Sequence, residues 1–275
     1  MSFEIDGFFS PDIDRFRHSV TTTSPFKEWF EYARGLNRIG LDLLNRATTP
    51  LSDRRLFAMY GHFVRTNQTF QGALLMAERG MIANARILLR GGVESAIAIA
   101  ALAKDDGLVD DMIAAHHFNQ RKLARLVVNH QNYSATYSTE EVAAMRAVIA
   151  EVDAIEAQSG KKLKDINWAD VGAAHCFDLY NLLYRSLSSD GTHATVDSLN
   201  RFLEVGDGQQ ITAFKVAPDT DGMVEALSAA CLLFIWAADP FAAAFARPDV
   251  TAGLSNQLKL FAELPGAFPT RAQAA

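Results

Sequence analysis

The stretch RILLRGGVESAIAIAAL, residues 86–102, constrains the fold more than any other part of the chain. It has apolar or small residues at almost every position, yet it keeps Arg86, Arg90 and Glu94, spaced by four. An α-helix turns once every 3.6 residues, so positions i, i+4 and i+8 form one slowly drifting ridge. A helix that is apolar nearly all round belongs at the centre of a bundle. The stretch therefore predicts a central helix with a polar ridge on one side. Gly91 and Gly92 lie mid-helix, where each costs about 1 kcal/mol relative to alanine; such positions suit the close approach of another helix. The ridge has two readings. Arg90 and Glu94 form an internal salt bridge while Arg86 reaches solvent, or the ridge lines a polar cleft. In the second case a surplus arginine would suit a phosphate or a carboxylate.

Helical periodicity runs through most of the remaining sequence. TTTSP predicts a helix start near Pro25, with Ser24 as cap. Further helices are expected over about 52–78, 82–104, 108–130, 139–158, 171–188 and 196–203, then 223–238 and 254–264. YSTEE reads as a capping box, with Ser138 or Thr139 as cap and Glu141 behind it. EVGDGQQITAFKVAPDTDG breaks the pattern and predicts a long irregular loop near 204–222, with one short extended piece at Ile211–Val216. No internal repeat or dividing linker is visible. The expected fold is all-α, a single-domain helical bundle of about seven to nine helices over 24–264, with tails at 1–23 and 265–275.

Composition narrows the function classes. The net charge of −6 argues against broad attraction to nucleic acid or anionic membrane, though a local basic patch is compatible with it. The two cysteines, Cys176 and Cys231, form no metal-ligand spacing and no disulfide framework. The amino terminus shows no secretory pattern. The most apolar run, Ala226–Ala238, is too short for a bilayer span of roughly 20 residues. A cytoplasmic protein without a membrane partner is expected. Phosphate-binding glycine loops, H-E-x-x-H, C-x-x-C and G-x-S-x-G are absent, so no cofactor and no metal are announced. His62, His116, His130 and His175 read as single core histidines. A metal enzyme would need them to gather in space. Phe57, Tyr60, Phe63 and Phe70 read as core, and QRKLAR (120–125) as a solvated face.

The helix near 171–188 offers a partner for the ridge. Asp178, Asn181 and Arg185 lie at i, i+3 and i+7, a polar strip that Ser189 continues, and His193 follows in the turn. Arg185 and His193 could converge on one small volume. Alternatively, His193 caps the helix end and Arg185 pairs with Asp178 or Glu94.

ARILLRGGVESAIAIAALAKD and LYNLLYRSLSSDGTHATVDSLNRFL together resemble a bacterial family of helical proteins of unknown function. Its members carry an R-x-x-x-E helix followed by a Y-x-x-x-S-x-x-x-H-like stretch, and the resemblance spans roughly 30–240. That family is distantly similar to HEPN domains, helical bundles of toxins, defence systems and RNA processing. The resemblance implies a metal-independent ribonuclease acting on RNA as a homodimer. Arg185 would be the charge stabiliser and His193 the acid or base, with Ser186 as the polar residue after the arginine. Seven residues separate Arg185 from His193, against four to six in the HEPN signature. Arg86, Arg90, Glu94, Asn181 and Ser189 would bind the ligand. The alternative expectation is a non-catalytic helical domain that binds a partner protein or a small anionic ligand.

Overall fold

The computed structural model describes residues 2–191, 199, 202–206 and 210–267, with Gln131, Ser189, Asp190 and Val205 described by backbone alone. Helix dominates, and the fold class is all-α. The helices are α1 (Ile13–Thr22), α2 (Phe26–Arg46), α3 (Arg54–Ala77), α4 (Ile82–Leu102), α5 (Leu108–Asn129), α6 (Thr139–Ser159) and α7 (Trp168–His175). Next comes a composite helix, α8, with an α-helical start at Phe177–Leu179, a π-helical turn at Tyr180–Tyr184 and an α-helical end at Arg185–Gly191. After α8 come strands β1 (Leu203–Val205) and β2 (Ile211–Phe214), then α9 (Met223–Ala244) and α10 (Pro248–Glu263). Contacts group the chain into two compact units, residues 1–104 with 169–275, and residues 105–168.

In the larger unit, α3, α4 and α9 pack on one another. Helices α2 and α10 cover α9, and α8 lies on α4. Apolar residues on facing stripes drive this packing. Phe63 stacks on Phe241 with ring centroids 4.2 Å apart, Phe70 meets Phe234 at 5.0 Å, and Trp29 meets Phe261 edge-on at 5.5 Å. The sequence of α4 makes it central: Leu89, Val93, Ile97, Ile99 and Leu102 are all buried. Gly92 is the point of closest approach. A Cβ there would stand 2.8 Å from Thr69 Cγ2 on α3 and 2.9 Å from Leu233 Cδ2 on α9. Gly91 points elsewhere, with only Arg65 Nη2 nearby at 3.9 Å. Asp53 caps α3, its side chain accepting from the Leu56 amide. Helix α9 is long and apolar enough to cross a membrane, but 78% of its apolar window is buried inside the protein.

The smaller unit is a helical hairpin in which α5 packs on α6. The Ser138–Glu141 capping box opens α6 with both reciprocal bonds formed. Ala124, Val127 and Val152 are buried in the hairpin. Arg121, expected on a solvated face, is buried. Its Nη1 donates to Asp153 at 2.8 Å and to Glu156. These hydrogen bonds hold both carboxyls below their ordinary pKa range.

Several expectations need correction. Residues 13–22, expected within a tail, form α1, which packs on α2. The single helix expected over 171–188 is broken at Cys176, whose φ of −151° leaves the helical region. The last carbonyl before the break, at His175, is satisfied by the Lys104 ammonium at 2.6 Å. The region expected as an irregular loop contains a β-hairpin. Leu203 pairs with Phe214, Glu204 with Ala213 and Val205 with Ile211, and a bulge falls between Glu204 and Val205. The helix expected over 196–203 lies largely outside the described residues, and Leu203 begins β1. Phe57 is exposed, because α3 turns only Met59, Phe63, Phe70 and their neighbours inward. His116 is exposed too: α5 buries the neighbouring Ala115, about 100° away around the helix.

Candidate functional site

The polar ridge of α4 faces α8, and Arg90 is the centre of their contact. Its Nη1 donates to Glu94 Oε1 at 2.9 Å and its Nε donates to Ser188 Oγ at 2.9 Å. Its guanidinium carbon sits 3.7 Å above the centre of the Tyr184 ring. A planar guanidinium is the cation best suited to fork and stack in this way. Ser188 is used twice, since its hydroxyl also donates to the Tyr184 carbonyl at 2.6 Å. Tyr180 extends the aromatic surface, its ring centre 5.2 Å from that of Tyr184. Arg90 is only 8% exposed, so this is a desolvated ion pair with its hydrogen-bonding partners supplied by the protein. Arg86, expected to reach solvent, is buried as well, because the ridge lies under packed elements.

The residues that meet the ridge are therefore Tyr184 and Ser188, at i and i+4, with Tyr180 stacked behind Tyr184. The strip read from the sequence, Asp178, Asn181 and Arg185, takes another direction. Arg185 is exposed, and among the described residues it contacts its own helix, Nη1 donating to Asn181 Oδ1 at 3.4 Å. Asn181 in turn donates to the Phe177 carbonyl at 3.1 Å. The alternative pairing of Arg185 with Asp178 or Glu94 is not what forms. The Ser189 side chain and all of His193 lie outside the described residues. The structure thus brings Arg90 and Glu94 together with α8 and presents Arg185 to water one step around the same helix. Tyr184 and Ser188 were the signal missed, a four-residue spacing matching that of Arg90 and Glu94.

The π-helical turn lies where α8 crosses α4. Widened turns of this kind are frequent at functional sites. Helix α7 supports it from the side, since a Cβ at Gly172 would stand 3.0 Å from Ile97 Cδ1 and 3.2 Å from Tyr180. Among the described residues no group of three or more His, Cys, Asp or Glu is placed to hold a metal ion.

Fold and ridge together define a class: an all-helical protein whose central helix is bound to a π-bearing helix through a buried, aromatic-stacked arginine. The chain belongs to DUF5677, a family of unknown function, whose model matches residues 56–210. Both halves of the contact, Arg90–Glu94 and Tyr184–Ser188, fall within the matched region. No curated protein and no solved structure matches the chain.

Proposed function

We propose that the chain is a HEPN-like, metal-independent ribonuclease of the toxin or defence type, acting on RNA in the cytoplasm as a homodimer. Arg185 and His193 are its chemical groups. The observation that supports this reading is that Arg185 is offered to water by a helix held in place from beneath by Arg90. A cation that stabilises charge in a transition state must be preorganised and yet open to substrate. In the reaction the RNA 2′-oxygen bonds to the adjacent phosphorus and its proton passes to a base. The bond to the 5′-oxygen breaks and that oxygen takes up a proton. His193 handles one of these protons, and Arg185 neutralises the non-bridging oxygens of the phosphorane. Arg90, Glu94 and Ser188 position the helix that carries Arg185.

The test is cleavage of a defined single-stranded RNA in excess chelator. Wild type is expected to cut, and His193→Ala or Arg185→Ala to lose about 10²- to 10⁴-fold in rate with an unchanged melting temperature. Wild type that cuts no RNA would overturn the reading. A second reading is favoured by Arg90, whose hydrogen bonds to Glu94 and Ser188 and contact with the Tyr184 ring are made inside the protein. It is a non-catalytic helical domain that binds a partner protein or a small anionic ligand. It predicts no RNA cleavage, together with a thermal shift in inorganic phosphate that Arg185→Ala abolishes.

A further inference from the structure

A separate cleft of about 420 Å³ opens where the end of α4, the end of α7, the start of α8 and the proline-bearing part of α9 converge. Trp236, Asp239 and Pro240 line one side of it, with Lys104, His175 and Phe177 on another. Asp239 has no hydrogen bond or ion pair among the described residues, and it stands beside the half-buried indole of Trp236, three positions back on the same helical face. Pro240 lacks an N–H, so it offers the Trp236 carbonyl no donor from four residues ahead. Two electron-rich groups line this side of the cleft, a carboxylate and an indole. Each attracts a cation, and an indole is the best aromatic partner for an ammonium.

We infer that this cleft binds a small organic monoamine in its ammonium form, carried on an apolar or aromatic body. The ammonium meets Asp239 and Trp236, and the body lies against Phe177 and Pro240. Lys104 also lines the cleft, its ammonium bonded to the His175 carbonyl at 2.6 Å, and Asp178 lines it as well, so these two charges offset one another and leave Asp239 to set the preference for a single positive charge. Partial desolvation at the cleft wall raises the Asp239 carboxyl above its ordinary range, the behaviour of a carboxylate with no cation beside it. The cleft binds and does not react through its thiol. Burial pushes the Cys176 thiol up to about 11, so it stays protonated near neutrality.

The experiment titrates 2-phenylethylamine into the full chain by calorimetry, with 3-phenylpropionate and spermidine as comparison probes. Saturable binding of the amine is expected, with the carboxylate and the polyamine each at least tenfold weaker. Asp239→Asn, a near-isosteric change at an exposed position, is expected to weaken the amine at least tenfold. Absent amine binding, a preference for 3-phenylpropionate in wild type, or unchanged affinity in Asp239→Asn would each overturn the inference. The wild-type comparison stands whether or not the variant folds. None of these results depends on RNA cleavage, so the inference and the ribonuclease reading fail separately.

Discussion

Two arginines of similar appearance in the sequence sit in opposite environments. Arg90 is buried and makes an ion pair, a hydroxyl hydrogen bond and a ring stack, whereas Arg185 is exposed and has one long contact to its own helix. Truncating Arg90 takes the cationic partner from Glu94 and one hydrogen bond from Ser188, whose hydroxyl keeps its bond to the Tyr184 carbonyl, and removing one partner of a partly buried pair costs more than the intact pair contributes. Glu94 keeps 31% of its side-chain surface exposed, which moderates that loss. Arg90→Ala is therefore expected to destabilise by about 2 kcal/mol in denaturant titration. Arg90→Lys should recover less than half, since an ammonium neither stacks flat nor donates through a second nitrogen. Arg185→Ala should stay within about 0.5 kcal/mol of wild type. Equal losses at the two positions would contradict this assignment. The charges themselves were legible in the sequence, but their partners were not. Asn181 and Arg185 do share a strip, as counting predicts, but which strip of the helix turns toward α4 is set by packing, and there it is the one that carries Tyr184 and Ser188.

The helices show which local signals carry through and which do not. Periods and one cap did: the Ser138 capping box opens α6, and α4 and α5 end within two residues of their expected limits, but Ser24, expected to cap α2, donates to Glu28 and caps nothing. The break at Cys176 left no such mark, whereas of the β1–β2 hairpin only β2 did, as the extended piece expected at Ile211–Val216. The break depends on what packs beside it, and β1 begins at Leu203, where a helix was expected to end. The adjacent glycines of α4 test the packing directly. Alanine at either position gains helix propensity of up to about 1 kcal/mol. At Gly91 the new methyl meets nothing closer than 3.9 Å, so Gly91→Ala is expected to raise the melting temperature. At Gly92 it would press on Thr69 and Leu233 at 2.8 and 2.9 Å, and overpacking of this kind costs about 1–3 kcal/mol. Gly92→Ala should therefore lower it. Thermal melts of the two single variants check the pair, and shifts of the same sign would mean that α3 and α9 do not approach α4 as described.

At the scale of the molecule, the all-α class followed from periodicity, because nearly every segment repeats at 3.6 residues. The grouping of 105–168 as its own compact unit did not, since α5 and α6 have the same period as the rest and no linker composition brackets them. Both units hold paired carboxyls below their ordinary range, as Arg247 does Asp249 in the larger one, and the larger unit adds the imidazole of His62. In the larger unit, burial first and Arg65 second push His62 from 6.5 down to about 4. The unfolded chain then takes up a proton between those values that the folded chain refuses. Stability therefore falls as pH drops through this window, by up to about 3 kcal/mol. In the smaller unit, Arg121 lowers the Asp153 and Glu156 carboxyls below their ordinary 3.8 and 4.5. That contribution is complete above those ordinary values and is lost as pH falls below them. Acid should thus weaken the chain in two stages, with different residues responsible. His62→Gln is expected to flatten the loss of melting temperature from about pH 6.5 to about pH 4 and to leave the lower stage intact. Arg121→Ala should lower the melting temperature near neutrality and flatten only the lower stage. Calorimetric melts of wild type and both variants across these windows decide the matter. If His62→Gln leaves the upper slope unchanged, the buried imidazole is not its source.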